Sequence, residues 1–302
     1  MSELTSVAPE PKWVKAILPR RGLFSIPWRE LWAYRDLIWL MGMRDISATY
    51  KQTVLGPFWF VLQPILTTAT FSFLFGRMAG FGSDHIPHFV FYMTGLVVWN
   101  YFADCVNKTS QTFTRNAQLF GKVYFPRMAA PLANMLSGLV SFVVQFGLLA
   151  LAIGFYLFKD AHPHLVPGLP PPAPSHIEPT WHVVLLPLLL AQAAMLAIGI
   201  GFIVSALTTR YKDLSMGVGF GVQLWMYGSS IIYPLSLIDP SKRWIFYCNP
   251  MVPIIEGFRF ALLGHGIVEK WQIGLSFGIS ATFFTAGIMM FNRVEQTVMD
   301  TV

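Results

Sequence analysis

Six stretches of this 302-residue chain are long and apolar enough to cross a lipid bilayer as helices, and that feature constrains its fold more than any other. A crossing takes about 20 consecutive, mostly apolar residues. The hydrocarbon holds no water to satisfy backbone amides and carbonyls. Each segment must therefore bond internally, which favours helices. The runs lie at residues 57–76, 88–106, 128–158, 182–208, 215–235 and 272–291. None contains Lys or Arg, and only the second contains an acid, Asp104. Charged residues are 12% of the chain, about half the roughly 25% usual in soluble domains. The expected fold class is an all-α membrane protein of six transmembrane helices. An N-terminal amphipathic interface helix and short re-entrant helices on the outer side before the last span complete it.

The interface helix is expected at residues 28–46. Its longest uncharged run, 37–43, is too short to cross. At about 100° per residue Trp28, Trp32 and Trp39 share one face, and membrane interfaces favour Trp. Lys and Arg placement sets the orientation, because cytoplasmic loops carry their excess. Residues 1–51 hold eight and the loop 107–127 holds four with no acid. Fifteen fall on this side and five on the other, with Arg77 at a boundary. Both termini are therefore expected in the cytoplasm. The resulting division is a cytoplasmic N-terminal segment over 1–51, a transmembrane domain over 52–295 and a cytoplasmic tail over 296–302. On the outer side, 159–181 is Pro-rich and expected to be extended. Residues 251–263 are apolar but too short to cross, with Glu256 and Arg259 spaced to pair and Gly264 placed to end the helix.

Several functions find no support. Cys105 and Cys248 form no disulfide framework and have no metal-ligand spacing. His162, His164 and His176 have no confirming pattern, so no metal is expected. The first 26 residues lack the apolar core of a cleavable signal peptide, so the spans themselves are expected to direct insertion. No inverted repeat marks a secondary transporter. The net charge of +6 fits cytoplasmic loops rather than nucleic-acid binding. The phosphate-cradling pattern G-x4-G-K-[ST] is absent, so ATP chemistry would need another subunit.

Five blocks carry a family resemblance. Residues 44–77 read RDISATYKQTVLGPFWFVLQPILTTATFSFLFGR, residues 91–104 FYMTGLVVWNYFAD and residues 116–127 NAQLFGKVYFPR. RYKDL follows at 210–214, and YCNPMVPIIEGFRFALLG at 247–264. From about residue 44 to the end, the chain resembles ABC-2 type permeases that export O-antigen, teichoic acid and capsular polysaccharide. The resemblance implies a dimer of such chains in the cytoplasmic (inner) membrane, with two copies of a nucleotide-binding subunit beneath it. It implies no cofactor on this chain, with ATP and Mg at the partner subunit, and a lipid-linked polysaccharide as cargo among the membrane lipids.

It also implies roles. The loop after the second span would carry a coupling helix over residues 109–122, docking on the ATPase through Thr109, Arg115, Asn116, Leu119, Phe120 and Lys122. Thr109 or Ser110 would cap it. Arg210, Lys212 and Asp213 would make a smaller contact. Arg35, Arg44 and Lys51 are candidates for holding a pyrophosphate headgroup at substrate entry. An aromatic conduit would suit a sliding glycan, lined by Phe58, Trp59, Gln63, Phe71, Phe75, Gln223, Trp225, Tyr227 and Tyr233. Gln145 and Gln192 are further amides that face protein or a cavity rather than lipid. Pro250, Glu256 and Arg259 would form an outer gate. The alternative function is an ABC-2 exporter of a small amphiphile or drug. A membrane transferase would need clustered acidic or His residues, and the cytoplasmic loops have none.

Overall fold

The computed structural model describes residues 26–299, apart from 52, 121, 123–124, 162–175 and 212. Most of the Pro-rich outer segment, with His162 and His164, therefore lies outside the described residues. The α-helices of the described residues are α1 (Trp28–Ala33), α2 (Arg35–Tyr50), α3 (Trp59–Phe71), α4 (His88–Ser110), α5 (Thr112–Arg115), α6 (Ala117–Phe120), α7 (Ala129–Ala161), α8 (Leu186–Thr208), α9 (Leu214–Tyr227), α10 (Arg243–Tyr247), α11 (Met251–Leu263) and α12 (Lys270–Met299). Among the described residues there is no strand.

Among the described residues, five helical stretches have crossing length and composition: Gly56–Met78, His88–Ser110, Ala129–Ala161, Trp181–Thr208 and Lys270–Gln296. The fifth expected run, 215–235, forms no such helix. Its helical part, α9, has 14 residues and reaches about 21 Å at 1.5 Å per residue, short of the roughly 30 Å hydrocarbon core. Beyond Tyr227 the backbone leaves the helix, and Ser230 takes a left-handed φ of 59°. The first crossing stretch is also irregular. Its α3 carries Pro64 internally, and residues Ser72–Met78 continue it with π-helical bonding.

The bundle is built around α4, which touches α3, α7, α8, α9 and α11. Of its crossing window 78% is buried, against 11% for the stretch through α3. Glycines set the closest approaches to α8. A Cβ on Gly199 would meet Phe283 carbonyl carbon at 2.5 Å, and one on Gly287 would meet the Gly199 oxygen at 2.4 Å. A Cβ on Gly201 would meet Thr109 at 2.6 Å. Small residues here let α8 lie against α12 on one side and α4 on the other.

The N-terminal element is two helices broken at Tyr34. Leu31, Ile38 and Met41 pack in a second apolar cluster with Ala129, Ala133, Phe202 and Phe291. Trp28, Trp32 and Trp39 point outward and are more than half exposed. Its inward face is therefore aliphatic and held by protein, with the indoles on the opposite side.

Candidate functional site

The bundle has two ends. At one, Thr208 Oγ1 donates to Ser110 O at 3.2 Å, and Phe113 stacks on Phe291 at 4.8 Å. At the other, Thr180 and Glu178 amides donate to carbonyls of α11.

The residues expected to couple to a partner lie at the Ser110 end, in elements with different boundaries. Thr109 and Ser110 belong to α4 and are fully buried, so they do not start a loop helix. Beyond α4 the stretch folds as two single turns, α5 over Thr112–Arg115 and α6 over Ala117–Phe120. The break has local causes: the Thr112 hydroxyl donates to Thr109 O at 2.7 Å, and the Asn116 amide donates to Thr112 O at 3.0 Å. Such short polar side chains offer the backbone alternatives to a continuous helix. Phe120 packs beside Phe113 and Phe125, and Arg127 lies over its ring at 5.5 Å. Leu119 and Phe120 are half-buried, whereas Arg115 and Lys122 are exposed. At the second, smaller contact that was expected, Arg210 lies over Tyr211 at 5.6 Å and Asp213 is exposed; Lys212 lies outside the described residues.

The proposed entry cations are exposed, and two sit beside acids of adjacent sequence. Arg35 is 3.8 Å from Asp36, and Arg44 is 3.0 Å from Asp45. Lys51 forms no ion pair among the described residues.

α3 and α9 flank α4 and leave an aromatic face uncovered. Phe58, Trp59 and Tyr227 are exposed, as are Gln63 and Gln223. Others of the expected conduit set pack within the protein. Trp225 meets Trp99 at 6.3 Å and Phe102 at 5.3 Å, both edge-on. Phe71 meets Tyr92 edge-on. Phe75 stacks on Phe81, which meets Tyr233, so these rings tie the stretch after α3 to the loop after α9.

The most built polar site lies where α9 unwinds. Glu256 and Arg259 pair at 2.9 Å on α11 and are 2% and 1% exposed. Gly264, with φ 75°, ends that helix. Arg259 Nη1 donates to Ser230 O at 2.6 Å, and Nη2 donates to Ile231 O at 3.0 Å. Ser230 Oγ donates to Glu256 Oε1 at 2.6 Å. The other Glu256 oxygen accepts from the Ile267 amide at 3.3 Å. The guanidinium also lies 3.7 Å over the Phe91 ring, a favourable cation–π position. Gly95 leaves the room: a Cβ there would fall 3.3 Å from Arg259 Nη2. Asn249 adds bonds to Gly228 O at 2.9 Å and to Ser229 Oγ at 3.0 Å. Pro250 O accepts from Ser276 Oγ, which accepts from Gln192 Nε2, both at 2.7 Å.

The ion pair thus supplies hydrogen bonds that α9 gives up by unwinding. Non-helical backbone at membrane depth is tolerated only when protein or water covers it. Ser230 and Ile231 are unexposed and Ile232 is 4% exposed. With Ser230, Glu256 and Arg259 all buried, this arrangement holds a loop in place. Sequence reading picked out Pro250, Glu256 and Arg259 but missed Gly95, Ser230 and Asn249. The run Gly228-Ser229-Ser230 was the available signal, since it breaks an otherwise aromatic and aliphatic stretch.

Comparisons with known proteins follow the same line. Residues 36–263 match the family described as ABC-2 type transporter. The chain is 25% identical over 280 residues to an O-antigen export system permease protein RfbA of Myxococcus xanthus, covering 91% of this chain and 98% of that one. A protein of the same name from Klebsiella pneumoniae is 25% identical over 261 residues, covering 86% and 92%. The Inner membrane transport permease YadH of Escherichia coli (strain K12) is 22% identical over 264 residues, covering 84% and 91%.

Proposed function

The chain belongs to the ABC-2 type transporter family, and from that premise we propose that it is the permease subunit of an ATP-driven exporter carrying a lipid-linked polysaccharide out across the cytoplasmic membrane. The observation that carries this reading is the end-to-end similarity to the two O-antigen export permeases, which spans most of both chains. A shared fold alone would leave the cargo open.

The geometry supports a mechanism. In this reading α9 and residues 228–233 together make the sixth crossing. A Cβ on Gly219 would lie 3.9 Å from Asn107, and one on Gly95 3.5 Å from Ile231. The segment therefore travels along most of α4, itself of crossing length. Both termini and the basic Ser110 end face the cytoplasm, where Arg115 and Lys122 meet a separate ATPase. A second copy of the chain faces the uncovered α3 and α9 surfaces, and the glycan passes between them. Weak, repeated aromatic contacts suit a sliding polymer. α1 and α2 lie in the inner interface with their indoles toward lipid. The loop held by Arg259 and Glu256, with α11 dipping into the outer leaflet, closes the outer side.

Deleting the gene tests the assignment. Finished lipid-linked glycan should accumulate inside the cell, and the chain supplied in trans should restore it to the surface. Normal surface glycan in a clean deletion would overturn the reading. If the surface glycan is unchanged and resistance to an amphiphile drops instead, the small-molecule alternative takes its place.

A further inference from the structure

We infer that the cavity enclosed by α3, α4 and α7 is a subsite for one neutral sugar ring, held against aromatic faces while amides and a carboxylate take its hydroxyls. The inference rests on the polysaccharide reading above and adds where, and by what groups, a single residue of the polymer is held.

The cavity has a volume of about 230 Å3. That is room for several waters at roughly 30 Å3 each. It is smaller than the roughly 300–1,000 Å3 of a drug-sized site, which suits a monosaccharide. Its wall includes Trp59 and Gln63 from α3, Asn100, Tyr101 and Asp104 from α4, and Gln145 from α7. Trp59 and Gln63 are exposed, so the cavity reaches the uncovered α3 face. Tyr101 is fixed edge-on to Phe142 at 5.7 Å.

The polar groups are arranged to leave hydrogen-bonding capacity. Asn100 Nδ2 donates to Gln145 Oε1 at 3.0 Å, which leaves the Asn100 oxygen as an acceptor and the Gln145 nitrogen as a donor. Gln63 forms no side-chain bond among the described residues. Asp104 uses Oδ2 to accept from Lys108 Nζ at 2.7 Å, leaving its other oxygen. Gly138 cuts back the α7 wall at this point, since a Cβ there would fall 3.2 Å from Asp104 Oδ2. All these residues lie on stretches of crossing length. Amides and carboxylates there are costly unless they face one another, water or a polar guest.

Charge selects the guest. Lys108 is engaged by Asp104 and by Ser137 Oγ at 3.2 Å, so no free cation awaits a phosphate. Equally, Lys108 neutralises Asp104, so a cationic drug finds no unmet charge. A group with many hydroxyls, each both donor and acceptor, matches what remains. Aromatic walls match its C–H faces.

The test uses full-length protein in lipid nanodiscs and saturation-transfer NMR with free glucose, galactose, mannose, rhamnose and N-acetylglucosamine. At least one should give saturable transfer concentrated on the hydrogens of one ring face, with no competition from inorganic phosphate. Gln63→Leu removes no hydrogen bond made among the described residues, and Asn100→Leu with Gln145→Leu removes both partners of one bond. Each should weaken sugar binding by about tenfold or more without lowering the melting temperature. Absence of saturable transfer from every sugar, unchanged binding in both variants, or displacement by phosphate would overturn the subsite. Failure of the export reading is read separately, from surface glycan in the gene deletion. The subsite stands or falls on the NMR alone.

Discussion

Replacing Arg259 with methionine probes the loop at the end of α9 most sharply. The side chain is 1% exposed and donates to Ser230 O at 2.6 Å, Ile231 O at 3.0 Å and Glu256 at 2.9 Å. Methionine keeps most of the volume and none of these bonds. Breaking a buried ion pair from one side costs about 3–5 kcal/mol, because the other charge stays buried and unpaired. Each orphaned carbonyl would cost about 1–3 kcal/mol alone, but the loop can shift toward water, so the terms overlap. A net loss of about 3–5 kcal/mol is expected, a large share of the roughly 5–15 kcal/mol that holds a typical domain. Arg259→Lys keeps the charge but cannot present a planar fork to two carbonyls and a carboxylate, so about 1–3 kcal/mol is expected. Pairing Arg259→Met with Glu256→Met removes both charges and should cost less than Arg259→Met alone. The assay is denaturant unfolding of purified protein in nanodiscs, followed by tryptophan fluorescence. A loss under about 1 kcal/mol for Arg259→Met, or a double variant less stable than the single one, would refute the role given to the pair.

Other outcomes follow from the same geometry. Gly199→Ala and Gly287→Ala each push a methyl into backbone and should lower stability by about 1–3 kcal/mol, whereas Gly147→Ala, with nothing within 4 Å, should not; melting curves of the three compare them directly. Arg115→Glu with Lys122→Glu should leave the melting temperature unchanged and weaken co-purification of the ATPase subunit, and equal recovery of that subunit would remove these residues from the docking surface. Phe120→Asp should lower the melting temperature as well as weaken co-purification, since its ring packs against Phe113 and Phe125; a folded, fully coupled Phe120→Asp variant would contradict that packing. Arg44→Gln should change export little, because Asp45 already lies 3.0 Å from Arg44; a severe export defect would give Arg44 a direct part in substrate entry.

Hydrophobic length made five crossing stretches legible, because burial in lipid leaves few alternatives to a long helix. Even the short α11, its Gly264 end and its Glu256–Arg259 pair followed from local spacing. The interruption after Tyr227 did not. Residues 228–235 carry no charge and so read on as part of a span, the Gly-Ser-Ser run being the one local signal, and what makes unwinding tolerable comes from α11, about 30 residues later in sequence. The coupling loop misled in another way. Thr109 and Ser110 are good helix-capping types, but packing against Gly201 and Thr208 draws them into α4. The indoles of α1 and α2 marked the exposed face, while the residues that anchor the element, Leu31, Ile38 and Met41, carried a weaker signal. The cavity amides were half legible. Gln63 and Gln145 stand out as lone polar residues in apolar runs, but the partner Asn100 is fixed by how α4 meets α7.

Transport itself is the most direct measurement. Inside-out membrane vesicles carrying this chain and its ATPase subunit, supplied with lipid-linked glycan and an external glycosidase, should protect the glycan from digestion when ATP is added. Vesicles with ATP withheld, or lacking the chain, should leave it exposed. Protection that does not depend on ATP, or that is equal without the chain, would contradict the export function.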